Sequence, residues 1–205
     1  ALRQVTAALE RSPQVPAWRI DVLDETERRE LLVDWNRTQR SHSRNRCVHD
    51  YFEAQVERTA DAIALVYEEQ SLTYSELNAR ANQLARHLGT LGVGPDVRVA
   101  ILAERSVELV VSVLATLKAG GAYVPLDPAY PVERLRYMLR DSGSAVLLVY
   151  ADLVPELRSQ LEANVPVVDV RADASAWIRR SERNIKRSSS GAKPHDLAYV
   201  IYTSG

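Results

Sequence analysis

The sequence predicts an α/β fold in which a mainly parallel sheet is covered by helices on both faces. From residue 62 onward, short apolar segments alternate with longer segments whose apolar residues recur at helical spacing. The short segments are apolar at nearly every position, which is typical of parallel strands buried on both faces. Glycines, prolines and capping residues separate the two kinds of segment and set the expected boundaries.

A helix opens this compact part of the chain near residue 48. Its apolar residues recur at i, i+3, i+4 and i+8, which predicts one buried helix face formed by Val48, Tyr51, Phe52 and Val56. The apolar run 62–67 then predicts the first strand, and the polar residues that follow it predict a turn.

The next helix begins in the segment 72–77, LTYSEL. Thr73 is expected to cap it, and Glu76 at its third position completes a capping box. Leu72 and Leu77 are spaced to form a hydrophobic staple. Capping and stapling account for this segment, so it is assigned no catalytic role.

Strands and helices alternate through the rest of the chain. Strands are predicted at 96–102, 122–126, 145–150, 165–170 and 197–202, and helices at 107–119, from Pro131 onward and at 155–162. The helix 107–119 is apolar nearly all round, which predicts deep burial. Pro125 predicts that its strand lies at a sheet edge or ends there, because proline has no N–H to donate.

Residues 1–45 have a different character and are predicted to be an inter-domain linker with one docking helix. Asp24 and Glu27 have capping-box spacing at the start of that helix. Three apolar residues then form one patch at helical spacing: Leu31, Leu32 and Trp35. Residues 46–205 are predicted to form the domain.

Composition and charge exclude several classes of protein. The 205 residues are 46% hydrophobic and 26% charged, with 26 Lys and Arg against 27 Asp and Glu, so the net charge is −1. This balance gives no overall attraction to nucleic acid or to an anionic membrane. The longest apolar stretches, at about 10–14 residues, are too short to span a bilayer. With no basic-then-apolar signal pattern at residue 1, we expect a cytoplasmic protein.

Neither a disulfide framework nor a metal site is expected. Cys47 is the only cysteine of the sequence, the four histidines are scattered, and CxxC and HExxH motifs are absent. A basic stretch lies within the long polar loop 171–196, at Arg179, Arg180, Arg183, Lys186 and Arg187. It could contact nucleic acid or an acidic partner, but it lacks interleaved aromatic residues, and we interpret it as a solvated mobile loop.

Both ends of the chain are unusual for a complete protein. It begins at Ala1, its only methionine is Met138, and it stops just after an apolar run. We expect a piece cut from a longer polypeptide, the alternative being a processed chain with a mobile tail.

The segment 199–205, YVIYTSG, has the most chemical character. A strand that runs into Thr203, Ser204 and Gly205 would place two hydroxyls and flexible backbone at the carboxyl end of the sheet, where open α/β sheets bind ligands. Hydroxyls and free N–H groups suit phosphate oxygens. Thr-Ser-Gly is also a common turn, so the residues alone leave both interpretations open.

The segment 117–128, LKAGGAYVPLDP, is interpreted as a packing joint. The paired glycines Gly120 and Gly121 permit a tight helix-to-strand turn and a close backbone approach. Lys118 is expected to be a capping charge at the helix C-terminus.

In their order and separation, these segments resemble the adenylation domains of non-ribosomal peptide synthetases, in the AMP-forming ligase superfamily. Residues 72–77 resemble the first core motif of the family, residues 117–127 the second, and residues 197–205 the start of the third, a phosphate-binding loop. Residues 130–135 extend the second match. Residues 31–38 are similar to the linker that joins a condensation domain to an adenylation domain, and residues 78–85 are similar to the peptide-synthetase branch.

The resemblance implies the first part of the large N-terminal subdomain of an AMP-forming ligase, preceded by a helical linker. Such an enzyme activates an amino acid with ATP: the carboxylate attacks the α-phosphorus, pyrophosphate leaves, and an aminoacyl-adenylate remains. A phosphopantetheine thiol on a neighbouring carrier domain then takes the aminoacyl group. By resemblance, Thr203, Ser204 and Gly205 would hold the β and γ phosphates with Mg²⁺ nearby. The implied partners are the condensation and peptidyl-carrier domains.

The sequence departs from the family pattern chiefly by stopping inside the third motif. The amino-acid pocket, the ribose-binding aspartate and the lysine of the small C-terminal domain all lie further along in the family, so no catalytic residue is assigned and the fragment alone is expected to be inactive. Ala60 stands where many relatives have proline, and residues 179–193 match the family poorly. One alternative is a truncated, non-catalytic interaction module, which the linker helix favours. The other is an acyl- or aryl-CoA ligase fragment, which the linker motif disfavours.

Overall fold

The computed structural model describes residues 2–14, 16–40, 45–150 and 164–203. The chain divides into two compact units, Ala1–Ser43 and Arg44–Gly205. The helix predicted at 155–162 lies outside the described residues.

The first unit contains short helices. They are α1 (Leu2–Arg11), a 3₁₀ turn (Ala17–Arg19) and α2 (Glu25–Arg29), which continues into a π-helical turn (Glu30–Asp34). The capping box predicted for α2 is present: the Glu27 N–H donates to Asp24 Oδ1 at 2.8 Å, and the Asp24 N–H donates to Glu27 Oε2 at 3.4 Å. The side chains of Leu32 and Trp35 are 59% and 66% exposed, so the predicted apolar patch faces solvent.

The second unit alternates helices and strands. Its elements are α3 (Val48–Arg58), β1 (Ile63–Tyr67), β2 (Gln70–Thr73), α4 (Tyr74–Thr90), β3 (Arg98–Leu102), α5 (Val107–Ala119), β4 (Ala122–Leu126), α6 (Val132–Asp141), β5 (Val146–Val149), β6 (Val167–Asp169), a 3₁₀ turn (Ala174–Ala176) and α7 (Arg187–Ser190).

Among the described residues, β4, β3, β5 and β6 form a parallel sheet in that order. Alternate residues of β3 point to opposite faces. Val99 and Ile101 pack in a core with residues of α4 and α5, whereas Ala100 and Leu102 pack in a second core with residues of α6. The predicted parallel sheet with helices on both faces is therefore confirmed. Pro125 lies in β4, which is at the sheet edge as predicted.

The first predicted strand does not join this sheet. β1 pairs instead with β2 in an antiparallel hairpin, and the turn between them places Glu68 at φ 51°. The sequence interpretation took residues 68–71 as a turn and missed β2. The reason for the difference is geometric: a tight turn can join only antiparallel strands, because parallel neighbours need a crossover of a dozen or more residues.

The last predicted strand, 197–202, is also only partly formed. Within its described residues, Tyr199 makes an isolated parallel bridge to Tyr123 of β4. The Tyr123 N–H donates to the Ala198 carbonyl at 3.1 Å, and the Val200 N–H donates to the Tyr123 carbonyl at 3.0 Å. The next donor of β4 on that side would be residue 125. Because Pro125 has no N–H, it removes the hydrogen bond that would continue the ladder.

The buried face of α3 differs from the predicted one. Val48 and Tyr51 are 64% and 48% exposed, whereas His49 is buried and Phe52 is half-buried. Burial lowers the pKa of His49, an effect that the nearby Asp50 carboxylate opposes. The spacing of apolar residues predicted the wrong buried face for α3 because a polar residue, Glu53, also points inward.

Glu53 turns inward because it pairs with Lys118 of α5. The Lys118 side chain is fully buried and its Nζ forms an ion pair with Glu53 Oε1. The same nitrogen lies 5.8 Å from the centre of the Phe52 ring. Burial lowers the pKa of Lys118, and the hydrogen bond to Glu53 opposes that shift. Lys118 lies in the last turn of α5, as the interpretation as a capping charge requires, but it is buried and also joins α5 to α3, which the sequence did not predict.

Polar residues of α4 hold the loop that follows β6. Asn78 Nδ2 donates to Asn184 Oδ1 at 2.8 Å, Asn82 Nδ2 donates to the Glu182 carbonyl at 2.7 Å, and Gln83 Nε2 donates to the Ile178 carbonyl at 2.5 Å. All three α4 side chains are buried. The interpretation of this region as a solvated mobile loop is therefore wrong between residues 178 and 184, where the loop is docked on α4.

The capping box of α4 yields a first prediction. The Glu76 N–H donates to Thr73 Oγ1 at 3.2 Å and the Thr73 N–H donates to Glu76 Oε2 at 2.8 Å, as the sequence predicted. We expect Thr73→Ala to lower the free energy of unfolding by about 1 kcal/mol in urea titrations, because a helix N–H loses its acceptor. Thr73→Ser keeps the hydroxyl and should remain close to the native value.

The same box has a defined pH dependence. Hydrogen bonds from Thr73 lower the pKa of Glu76, so its carboxylate stabilises the fold above its unfolded pKa and this contribution is lost as the pH falls through the lowered value. Thr73→Ala keeps the backbone N–H donor and removes only the Thr73 hydroxyl that donates to Glu76 Oε2 at 3.0 Å, so the part of the stability difference due to this hydroxyl should disappear in acid. A stability difference that does not narrow at low pH would contradict a contribution of the Thr73 hydroxyl to the lowered pKa of Glu76.

The buried ion pair yields a second prediction. Glu53→Ala leaves the Lys118 ammonium buried without its partner, and we expect the free energy of unfolding to fall by about 3–5 kcal/mol. The double variant Glu53→Leu with Lys118→Met removes both charges and should recover most of this loss. Glu57→Ala, on the exposed side of the same helix, is the control and should have little effect. If Glu53→Ala and Glu57→Ala lowered the free energy of unfolding equally, the stabilising role of the Glu53–Lys118 ion pair would be refuted.

Candidate functional site

A cavity of about 590 Å³ lies at the carboxyl edge of the parallel sheet. The ends of β3 and β4 and the segments that follow them contribute most of its lining, and residues of β1, α5, α6 and the segment 201–202 contribute the rest. Among the lining residues are Ala103, Glu104, Arg105, Leu126, Asp127, Tyr130, Ile201 and Tyr202. The carboxyl ends of parallel strands meet at one edge, so strands distant in sequence build one site.

The connections of the sheet explain why a cavity forms there. The chain leaves β3 through α5 to reach β4 on one side, and it leaves β4 through α6 to reach β5 on the other side of β3. The strand order thus reverses at β3. In open α/β sheets, ligands bind outside the carboxyl ends of the strands at such a reversal, because the adjoining connections run to opposite faces.

The turn after β4 is held by its own side chains. Asp127 Oδ1 accepts a hydrogen bond from the Ala129 N–H at 2.9 Å, and the Tyr130 N–H donates to the Asp127 carbonyl at 3.0 Å. The Arg134 guanidinium lies 4.2 Å from the centre of the Tyr130 ring. This turn presents Asp127 and Tyr130 to the cavity, a role that the interpretation of the segment as a packing joint did not include.

The glycine pair at the other end of that segment is a packing joint, as predicted. Gly120 ends α5 in the left-handed region, with φ 93°. A Cβ on Gly121 would lie 2.7 Å from Val93 Cγ1 and 2.9 Å from the Val97 carbonyl oxygen. These distances are shorter than van der Waals contact, so only glycine fits without a shift of the neighbouring chain.

The C-terminal segment, residues 197–203, runs beside β4 towards the cavity. The Leu197 N–H donates to Asp96 Oδ1 at 2.9 Å, and the rings of Tyr199 and Tyr123 lie 5.7 Å apart. Because the bridge to β4 is parallel, the segment reaches the same sheet edge as the ends of β3 and β4. Val200 and Tyr202 pack partly against the α6 core, in strand-like alternation with exposed neighbours.

Thr203, the first of the predicted phosphate-binding residues, is exposed and directly follows the cavity-lining Tyr202. Ser204 and Gly205 lie outside the described residues. The structure therefore brings Thr203 to the carboxyl edge as the sequence predicted.

Tyr202 is the best-held side chain of the segment. Its hydroxyl donates to Asp141 Oδ2 at 2.6 Å, and its ring meets the Tyr137 ring edge-on at 6.4 Å. Burial and the Asp141 carboxylate raise the pKa of Tyr202 to about 12, so the hydroxyl keeps its proton at neutral pH. Sequence reasoning missed this contact, although a tyrosine on the inward side of a strand generally requires a hydroxyl partner.

The volume of the cavity and some of the described residues at it suit a nucleotide. The volume falls within the range of about 300–1,000 Å³ that is typical of small-molecule sites. Arg105 contributes a guanidinium, and the Thr203 hydroxyl follows the lining directly. Across the described ranges, no group of three or more His, Cys, Asp or Glu residues could hold a metal ion. Likewise, none of the described helices is both long and apolar enough to cross a bilayer.

The family described as AMP-binding enzyme matches residues 52–205, about three quarters of the sequence. The chain belongs to this family. Tyrocidine synthase 3 of Brevibacillus parabrevis is 47% identical over 202 residues, which cover 98% of this chain and 3% of that protein. Bacitracin synthase 3 of Bacillus licheniformis is 46% identical over 186 residues, which cover 91% of this chain and 3% of that protein.

Solved structures agree with this assignment to the AMP-binding enzymes. The nonribosomal peptide synthetase FmoA3 superposes with a TM-score of 0.75 at 30% identity, covering 99% of this chain and 21% of that one. A form of FmoA3 with bound AMPPNP gives a TM-score of 0.73 at 28% identity over the same shares. The resemblance to peptide-synthetase adenylation domains is thus confirmed. The chain spans about 3% of the length of the two curated relatives named above.

The glycine pair Gly120 and Gly121, which forms the packing joint, yields a third prediction. Gly121→Ala should lower the free energy of unfolding by about 1–3 kcal/mol, because the new methyl group overlaps Val93 and the Val97 carbonyl. The matched control is Gly89→Ala in α4, where nothing lies within 4 Å of the added atom. That control should be neutral or slightly stabilising in the same urea titration, since alanine favours helix. If Gly121→Ala left the free energy of unfolding unchanged, the close approach of Val93 and the Val97 carbonyl to residue 121 would be refuted.

Proposed function

We propose that this chain forms the first part of the adenylating region of a nonribosomal peptide synthetase. The observation that carries the proposal is the parallel bridge of Tyr199 to β4, which brings Thr203 to the edge of a nucleotide-sized cavity. Similarity to synthetases over nearly the whole chain supports it.

The proposed reaction joins an amino acid to AMP. The carboxylate of the amino acid attacks the α-phosphorus of ATP, the bond to the bridging oxygen breaks, and pyrophosphate leaves. Thr203, Ser204 and Gly205 are proposed to hold the β and γ phosphates through hydroxyl and backbone N–H donors. Mg²⁺ is proposed to arrive with the nucleotide, since it commonly binds through phosphate oxygens and water.

We also propose the domain organisation and partners of the complete polypeptide. Residues 1–45 would be a linker whose exposed apolar patch, including Leu32 and Trp35, contacts a neighbouring condensation domain. Residues 46–205 would begin the adenylation domain. The aminoacyl group would pass to the phosphopantetheine thiol of a carrier domain, which displaces AMP and forms a thioester. The cytoplasmic location remains a prediction.

Amino-acid-dependent exchange of pyrophosphate into ATP tests the proposal. The assay is run on the complete polypeptide encoded by the gene and on the 205-residue chain, each with the twenty protein amino acids in turn. We expect exchange with the complete polypeptide and none with the 205-residue chain, because the latter carries only the start of the phosphate-binding motif.

Other outcomes would contradict the proposal in different ways. Strong exchange by the 205-residue chain would show that the site is complete without further residues. A gene that ends after codon 205, together with no exchange, would favour a truncated interaction module. Exchange that depends on fatty or aryl acids but not on amino acids would favour a CoA ligase.

A further inference from the structure

We propose that Asp141 and Tyr202 are positioning residues that hold the entry to the phosphate-binding loop at the carboxyl edge of the sheet. The inference rests on the proposed function and adds a specific device to it. The described part of the C-terminal segment has little sheet structure to fix it.

Backbone pairing alone holds the segment only at its start. The hydrogen bonds of the bridge involve Ala198, Tyr123 and Val200. Pro125 lacks the N–H that would donate next to the Val200 carbonyl, and the described residues 201–203 make no backbone hydrogen bond to β4. Residues 201–203 must therefore be fixed by something other than pairing with β4. Ile201 is 54% exposed, and its side chain cannot provide a strong constraint.

The Tyr202 hydroxyl provides the missing constraint. It donates to Asp141 Oδ2 at 2.6 Å, a short hydrogen bond to a charged acceptor, which is among the stronger kinds in proteins. The Met138 carbonyl oxygen lies 3.4 Å from the same hydroxyl. Both partners belong to the last turn of α6, so the tyrosine ties the segment to a helix that is itself packed on the sheet.

The position of the tie matches what a phosphate site requires. Tyr202 lines the cavity and immediately precedes Thr203, so fixing its side chain also fixes the direction of the next backbone N–H and hydroxyl. Donors that are aligned before the ligand binds lose less entropy on binding. The raised pKa of Tyr202 keeps the donor protonated over the whole physiological range.

The test uses the complete polypeptide and a matched pair of tyrosine variants. Tyr202→Phe removes only the bonded hydroxyl. Tyr199→Phe removes a hydroxyl from the same segment, on an exposed residue that does not line the cavity. Asp141→Ala removes the acceptor of the hydrogen bond, whereas Asp141→Asn keeps an acceptor without the charge. Because residue 141 is exposed, we expect both variants to fold.

Steady-state exchange kinetics give the first readout. We expect Tyr202→Phe and Asp141→Ala each to raise the KM for ATP about tenfold, the order of effect of losing a hydrogen bond to a charged group. The KM for the amino acid should stay unchanged, and Asp141→Asn should fall between Asp141→Ala and the native enzyme. The double variant should be no worse than either single variant, because both remove the same contact. Tyr199→Phe should match the native enzyme.

Amide hydrogen exchange without nucleotide gives a second readout that does not depend on activity. The N–H groups of residues 200–203 should exchange faster in Tyr202→Phe and Asp141→Ala than in Tyr199→Phe. A native KM for ATP in both variants, or a loss of kcat with both KM values unchanged, would overturn the inference. A native polypeptide that shows no exchange activity would refute the proposed function instead, and hydrogen exchange would then still decide whether the tie orders the segment.

Discussion

The parallel bridge between Tyr123 and Tyr199 determines where the C-terminal segment lies. Two backbone hydrogen bonds fix the direction and the register of residues 198–200 beside β4, and so the edge towards which residues 201–203 continue. If the pairing were antiparallel, Thr203 would point to the amino ends of the strands, away from the cavity. The chemistry proposed for this chain therefore depends on a contact between segments about 75 residues apart in sequence.

Buried charged and polar side chains connect the elements that pack around that sheet. Lys118 is buried beneath α3 and would be costly there without Glu53, because a lone ammonium loses its hydration. Similarly, the buried amide nitrogens of Asn78 and Asn82 on α4 need acceptors, and the loop after β6 supplies them. These contacts give α3 and the loop fixed positions on one face of the sheet. They also explain why the segment 78–85 combines amides with apolar residues.

Local signals in the sequence were sufficient for most elements of the fold. The boundaries of α5, the capping boxes before α2 and α4, and the edge position of β4 all follow from interactions within a few residues or from the missing N–H of Pro125. Thr203 at the carboxyl edge was predictable because strand direction follows from the alternation of strands and helices. The lining by Glu104 and Arg105 was not, because a loop of polar residues carries no periodicity.

The wrong face of α3 and the missed Tyr202 contact have one physical origin, which is that partners distant in sequence decide which residues are inside. Nothing near His49 or Glu53 distinguishes them from solvent-facing residues; the partner that draws Glu53 inward, Lys118, lies 65 positions away. The Tyr202 hydroxyl likewise finds Asp141 61 positions away. Apolar periodicity measures the average tendency to be buried, whereas an ion pair or a charged hydrogen bond can bury a polar group when its partner is fixed by the fold. Once the strand order is known, buried polar groups with distant partners are the ones to search for, because each identifies a contact that apolar periodicity does not predict.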